Sequence, residues 1–122
     1  MPWLEDMEIG ARMDLGSHTF TEEEIIAFAT KYDPQPFHID PEAARLGPFG
    51  GLVASGWHTT ATWMKLMVAA RQNQQEPPDK DGRTPPAGGP SPGFLDMKWP
   101  PPVRAGDTIS YSATVSEKVD MR

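Results

Sequence analysis

The sequence predicts an α+β domain in which a sheet wraps around one long, nearly buried helix. Three observations predict it. From about Val53 to Arg71 apolar residues recur at helical spacing, with few polar interruptions in the first half. From Ile109 to Val115 apolar and polar residues alternate strictly, as a sheet with one dry and one wet face requires. The chain has 122 residues, enough for one core and not two. A buried helix in so small a domain needs a sheet folded over it.

Composition narrows the function classes. Hydrophobic residues make up 38% of the chain, normal for a folded protein. The net charge of −6 disfavours nucleic acid as the main partner, since phosphate binding needs clustered Lys and Arg. There is no cysteine, so neither a disulfide framework nor thiolate chemistry, which suits a cytoplasmic setting. The acidic stretch from Met1 to Gly10 lacks the basic and apolar regions of a secretory signal. The longest apolar region is interrupted by His58 and Lys65 and falls short of the ~18 uncharged residues of a membrane span. A single domain over 1–122 is expected, soluble and without a membrane contact.

The first firm element starts at Thr21. Thr21 and Glu24 have capping-box spacing, and Phe20 and Ile25 have that of a hydrophobic staple. Glu22, Glu23 and Glu24 suit the positive end of the helix dipole. Ile25, Phe28, Ala29 and Tyr32 share one face. Pro34 bars helical angles at Asp33, so the helix ends near Tyr32, and Pro36 makes Asp33 to Phe37 a stiff, extended turn. Asp40 and Pro41 read as N-cap and first residue of a second, short helix.

The long helix follows, with Trp57, Ala61, Met64 and Val68 as its expected core stripe. Residues 73–93 hold six of the fourteen prolines and almost nothing apolar, the composition of a long exposed loop. Leu95, Met97 and Trp99 alternate with Asp96 and Lys98 as a strand would, ended by Pro100, Pro101 and Pro102. Gly106-Asp107 turns the chain into the strand that begins near Ile109. With a weaker strand near Asp14 to Thr19, three strands are expected, thin cover for a helix of about five turns. Either a partner completes the sheet or the natural chain continues with further strands, and the second is the expectation here.

Asp33-Pro34-Gln35-Pro36-Phe37-His38-Ile39-Asp40 is the densest cluster of reactive types. A carboxylate and an imidazole bracket a proline-stiffened turn, and acid/base groups work only when held in place. The dipole at the preceding helix C-terminus predicts a raised pKa for Asp33 and hence a stronger base. His38 can act in either protonation state. The plain alternative is an Asx-turn, with His38 packed beside Phe37. A metal site at Asp33, His38 and Asp40 lacks a further well-spaced ligand, so no metal is expected. Small residues from Gly50 through Ser55 and Gly56 lead into the long helix and let a ligand approach bare amides, an arrangement suited to an oxyanion. Those glycines equally suit tight backbone packing. His58 reads as a core histidine, and Trp57 and Trp63 read as core rather than as a ligand cage.

Asp33 to Asp40, followed by Gly50-Gly51-Leu52-Val53-Ala54-Ser55-Gly56, strongly resembles the MaoC-like family, which includes the R-specific enoyl-CoA hydratases. The family's hallmark is an Asp, a short spacer, then Pro, an apolar residue and His, with a glycine opening the central helix. Asp33, Pro36, Phe37, His38 and Gly56 fill those places, and the order of elements matches over about residues 9 to 118. The resemblance implies a hot-dog fold, a curved antiparallel sheet around the central helix, usually dimeric with acyl-CoA near the subunit interface. It implies that Asp33 and His38 activate a water for a trans-2-enoyl thioester. It further implies that the Gly56 amide stabilises the thioester oxygen, with Ser55 beside it as a substrate-binding residue. Coenzyme A enters as part of the substrate, and no separate cofactor is implied.

Three departures stand out. Pro34 and Gln35 replace the commoner spacer, in which Asn precedes the Pro. Met64 stands where the hydratases often place a Ser. The family normally continues with more sheet past the equivalent of Arg122. Two rivals to a hydratase remain open, an acyl-CoA thioesterase on the same fold and a non-catalytic acyl-CoA-binding subunit.

Overall fold

A computed structural model describes residues 8–73, 96–99 and 101–117. Most of the loop expected over 73–93 lies outside the described residues, as does Leu95. Strand β1 (Arg12–Thr19) pairs antiparallel with β2 (Thr108–Thr114). The register shifts between Asp14 and Gly16, so Leu15 is the extra residue of a bulge and its side chain is buried. Gly16 takes a φ of +99° there, a conformation that glycine adopts at no steric cost. Gly106, at φ +92°, makes the turn into β2.

Helix α1 (Glu22–Tyr32) begins as its sequence requires. The Thr21 hydroxyl accepts from the Glu24 amide at 3.2 Å, and the Glu24 carboxylate accepts from the Thr21 amide at 2.8 Å. Phe20 and Ile25, the staple pair, are both fully buried. They form the core with Ala44, Leu52, Ala54 and Val103. Tyr32, expected on the buried face, is exposed.

Only the first part of the expected extended turn is extended. Gln35 has extended angles, but Pro36 starts a one-turn helix, α2 (Pro36–Ile39), which carries His38. The fixed φ of proline suits a first helical residue as well as it suits a turn. Asp40 ends α2 and caps α3 (Pro41–Arg45), its carboxylate accepting from the Glu42 and Ala43 amides.

The long helix α4 spans Gly56–Asn73 rather than starting near Val53. Val53 instead forms an antiparallel bridge with Arg104, and the Ala54 amide donates to the Val103 carbonyl at 2.7 Å. The buried face of α4 also differs from the expected stripe. His58 and Thr62 are buried, whereas Trp57, Ala61 and Val68 are exposed and Met64 is half-buried. The sheet and α1 dictate this orientation. Phe20 and Phe28 pack on the His58 ring, the Tyr111 hydroxyl donates to the Thr59 carbonyl, and the Trp63 indole donates to the Ser112 carbonyl.

The strand expected over Leu95 to Trp99 is absent among the described residues. Asp96 lies at φ +55°, outside strand geometry, and the prolines at 100–102 have no amide to donate to a ladder. Among the described residues two strands therefore stand where three were expected, and β2 is hydrogen-bonded to α4 through Tyr111 and Ser112.

Candidate active site

Asp33 is the C-cap of α1, at the point where Pro34 turns the chain away. His38 lies in α2, and its side chain is buried. The Asp33 Oδ2 atom stands 3.3 Å from His38 Nε2. On the other side of the ring, His38 Nδ1 lies 2.7 Å from the Val53 carbonyl. A carbonyl only accepts, so Nδ1 carries the hydrogen and Nε2 is the nitrogen that faces the carboxylate.

Both oxygens of Asp33 receive donors. Gln35 Nε2 donates to Oδ1 at 2.6 Å, and the Ser55 hydroxyl donates to Oδ2 at 2.7 Å. Burial raises the Asp33 pKa, but these two hydrogen bonds and the facing His38 outweigh it and hold the carboxyl below its ordinary range. The raised value expected from the helix terminus is therefore corrected. Two local donors and a neighbouring imidazole outweigh the diffuse end of a dipole.

Ser55, expected beside the substrate, is wholly buried and its hydroxyl is occupied twice. It donates to Asp33 and accepts from the Trp57 amide at 3.2 Å. Gly56 follows as the first residue of α4, and its amide makes no hydrogen bond with another described residue. Gly56 also allows a close approach. A Cβ there would stand 2.4 Å from the Trp99 ring.

Asp33, His38 and Gly56 meet at a cavity of about 420 Å³. Its walls are largely apolar, with Phe37, Phe49, Trp57 and Trp99 as the aromatic part, and Gln35 and Thr59 add polar edges. Trp57 and Trp99 touch edge to face, with ring centroids 5.2 Å apart. Trp57, read from the sequence as core, thus lines the cavity, and Trp63 packs on β2 instead. Met64 is not among the lining residues. Trp99 and Phe49 are walls that sequence reasoning missed, because neither lies in the reactive turn along the chain. Gln35 was visible as a departure from the usual spacer, and its side chain meets Asp33 across two residues.

A second polar group lies on the other side of α4. The Glu24 carboxylate accepts from His18 at 2.9 Å and stands 4.0 Å from His58 Nε2. His58 is a core histidine as expected, but its buried Nδ1 has no partner among the described residues. Burial pushes the His58 pKa down, only partly opposed by Glu24. Among the described residues no group of His, Asp and Glu has the geometry of a metal site, and no helix is long and apolar enough to cross a membrane.

Known proteins resemble this chain in sequence and fold. The chain superposes on the MaoC-like dehydratase from Rhodospirillum rubrum with a TM-score of 0.74 and 40% identity, covering 93% of this chain and 70% of that one. It is 37% identical over 65 residues to the uncharacterized protein YdeM of Bacillus subtilis, 53% of this chain and 46% of that protein. It is 45% identical over 49 residues to the 3-hydroxyacyl-thioester dehydratase Z of Mycobacterium tuberculosis H37Rv, 39% of this chain and 32% of that protein. These matched stretches thus span less than half of either curated relative. The fold is the hot-dog architecture anticipated from the motif. The profile of the MaoC like domain matches residues 6–122, and the chain belongs to that family.

Proposed function

We propose that this chain is a hydratase/dehydratase of acyl thioesters, with Asp33 and His38 handling the water. The observation that carries the proposal is the 3.3 Å approach of Asp33 Oδ2 to His38 Nε2 at the wall of a cavity that also exposes Gly56. The names of two relatives, a MaoC-like dehydratase and a 3-hydroxyacyl-thioester dehydratase, support it.

In the hydration direction, the water oxygen bonds to C3 of a trans-2-enoyl thioester. The π electrons move towards the thioester oxygen, which the Gly56 amide stabilises, and C2 then takes a proton. Dehydration runs the same steps backwards. The step is redox-neutral and needs no electron carrier. An Asp33 held ionised is a weak base. Its part is therefore to orient the water and to stabilise an imidazolium, while His38 Nε2 takes up and returns the proton. The substrate is taken to be CoA-linked and the reaction (R)-specific, in a homodimer or higher homo-oligomer, as the family resemblance implies, and a cytoplasmic setting is taken from the cysteine-free composition.

The test is hydration of crotonyl-CoA by wild type and by Asp33→Asn, which keeps the shape and removes the charge. A loss of about two to four orders of magnitude in kcat is expected. An Asp33→Asn variant that retains wild-type kcat removes the proposal. Release of free CoA from a saturated acyl-CoA replaces it with a thioesterase. Tight acyl-CoA binding without turnover replaces it with a binding subunit.

A further inference from the structure

We propose that Ser55 is a positioning residue that ties the Asp33 carboxylate to the first turn of α4. The proposal rests on the hydratase reading of the same site. Three observations converge. Ser55 is wholly buried, in a chain whose other serines among the described residues are not. Its oxygen accepts from the Trp57 amide, so its one hydrogen is left for Asp33 Oδ2. That same Oδ2 is the atom facing His38 Nε2.

A chain of bonds therefore runs from the Trp57 amide through the Ser55 hydroxyl to the carboxylate. The amides of a helix's first turn carry partial positive charge. Ser55 delivers that charge to Asp33, which sits 22 residues away in sequence. It also selects the carboxylate rotamer that places Oδ2 beside His38. Ser55 touches no reacting atom in this role. It acts through Asp33.

Three variants test the idea. Ser55→Ala removes the hydroxyl. Ser55→Gly removes it too but retains a residue well tolerated at a helix start, so it covers the case in which the alanine variant misfolds. Ser55→Thr keeps the donor. With crotonyl-CoA as the probe, we expect Ser55→Ala and Ser55→Gly to lower kcat at least about tenfold with KM little changed. The acid limb of their pH–rate profiles moves to higher pH, and Ser55→Thr restores both. Carbon-13 NMR of the Asp33 carboxyl gives a readout that needs no turnover. Its titration midpoint rises in the alanine and glycine variants. Wild-type kcat, acid limb and Asp33 titration in Ser55→Gly overturn the proposal, and so does a threonine variant as impaired as the glycine one. A wild-type protein inert towards every enoyl thioester removes the hydratase reading instead, and the Asp33 titration then decides the role of Ser55 alone.

Discussion

Gly56→Ala perturbs the cavity wall and the helix start together. The added Cβ would stand 2.4 Å from Trp99 Cδ2, 2.7 Å from Cε3 and 2.8 Å from Cε2, against 3.4 Å and beyond for ordinary contact. The overlap runs along one edge of a rigid ring, so the indole must leave rather than bend. Trp99 is 48% exposed, so about half of its side chain is covered. A large aromatic side chain carries up to about 250 Å², which puts the covered part near 125 Å² and its burial at no more than about 3 kcal/mol. Contact with Trp57 can persist after the shift, so the expected loss of stability is about 1–2 kcal/mol. Urea unfolding of wild type, Gly56→Ala, Trp99→Ala and the double variant measures it as a cycle. In the Trp99→Ala background the alanine at 56 should cost nothing, and can stabilise slightly because alanine favours a helix more than glycine does. An equal cost in both backgrounds would show that Trp99 is not seated on Gly56.

Two further outcomes follow from the other side of α4. Burial holds the His58 imidazole neutral below its ordinary range, so as pH falls through ~6.5 the unfolded chain binds a proton that the folded chain refuses. Stability is unaffected above that pH and declines below it. His58→Phe, which fits between Phe20 and Phe28, should flatten the fall in urea midpoint between pH 7 and pH 5. Thr21→Ala removes one half of the capping box and should cost about 1 kcal/mol by chemical denaturation, while kcat on crotonyl-CoA stays at the wild-type value.

What could be read from the sequence was what the chain settles over a few residues. The capping box at Thr21 and Glu24, the N-cap at Asp40 and the turn at Gly106 depend on neighbours within a turn or so, and each formed as expected. The reach from Asp33 to His38 is also short, and the prolines at 34 and 36 restrict it further. Longer-range choices were not legible. Which face α4 buries was set with Phe20 and Phe28, whose rings pack on His58 and lie far from it in sequence. The alternation at 95–99 matched a strand, but alternation brings no partner, and Asp96 took a left-handed angle. The sign of the Asp33 shift turned on Gln35, Ser55 and His38 together, and of these Ser55 is brought close only by the tertiary fold.

Val53 is tied to α2 by its main-chain atoms alone. Its amide donates to the Phe37 carbonyl at 3.1 Å and its carbonyl takes the His38 Nδ1 hydrogen, while its bridge to Arg104 runs through the neighbouring Ala54 amide. The tautomer of the histidine is thus dictated by a group common to every amino acid. Exchanging the valine for isoleucine or alanine alters the volume beside the ring and leaves the proton's address untouched. Variation at this position can reshape the chamber while the orientation of its imidazole is inherited unchanged.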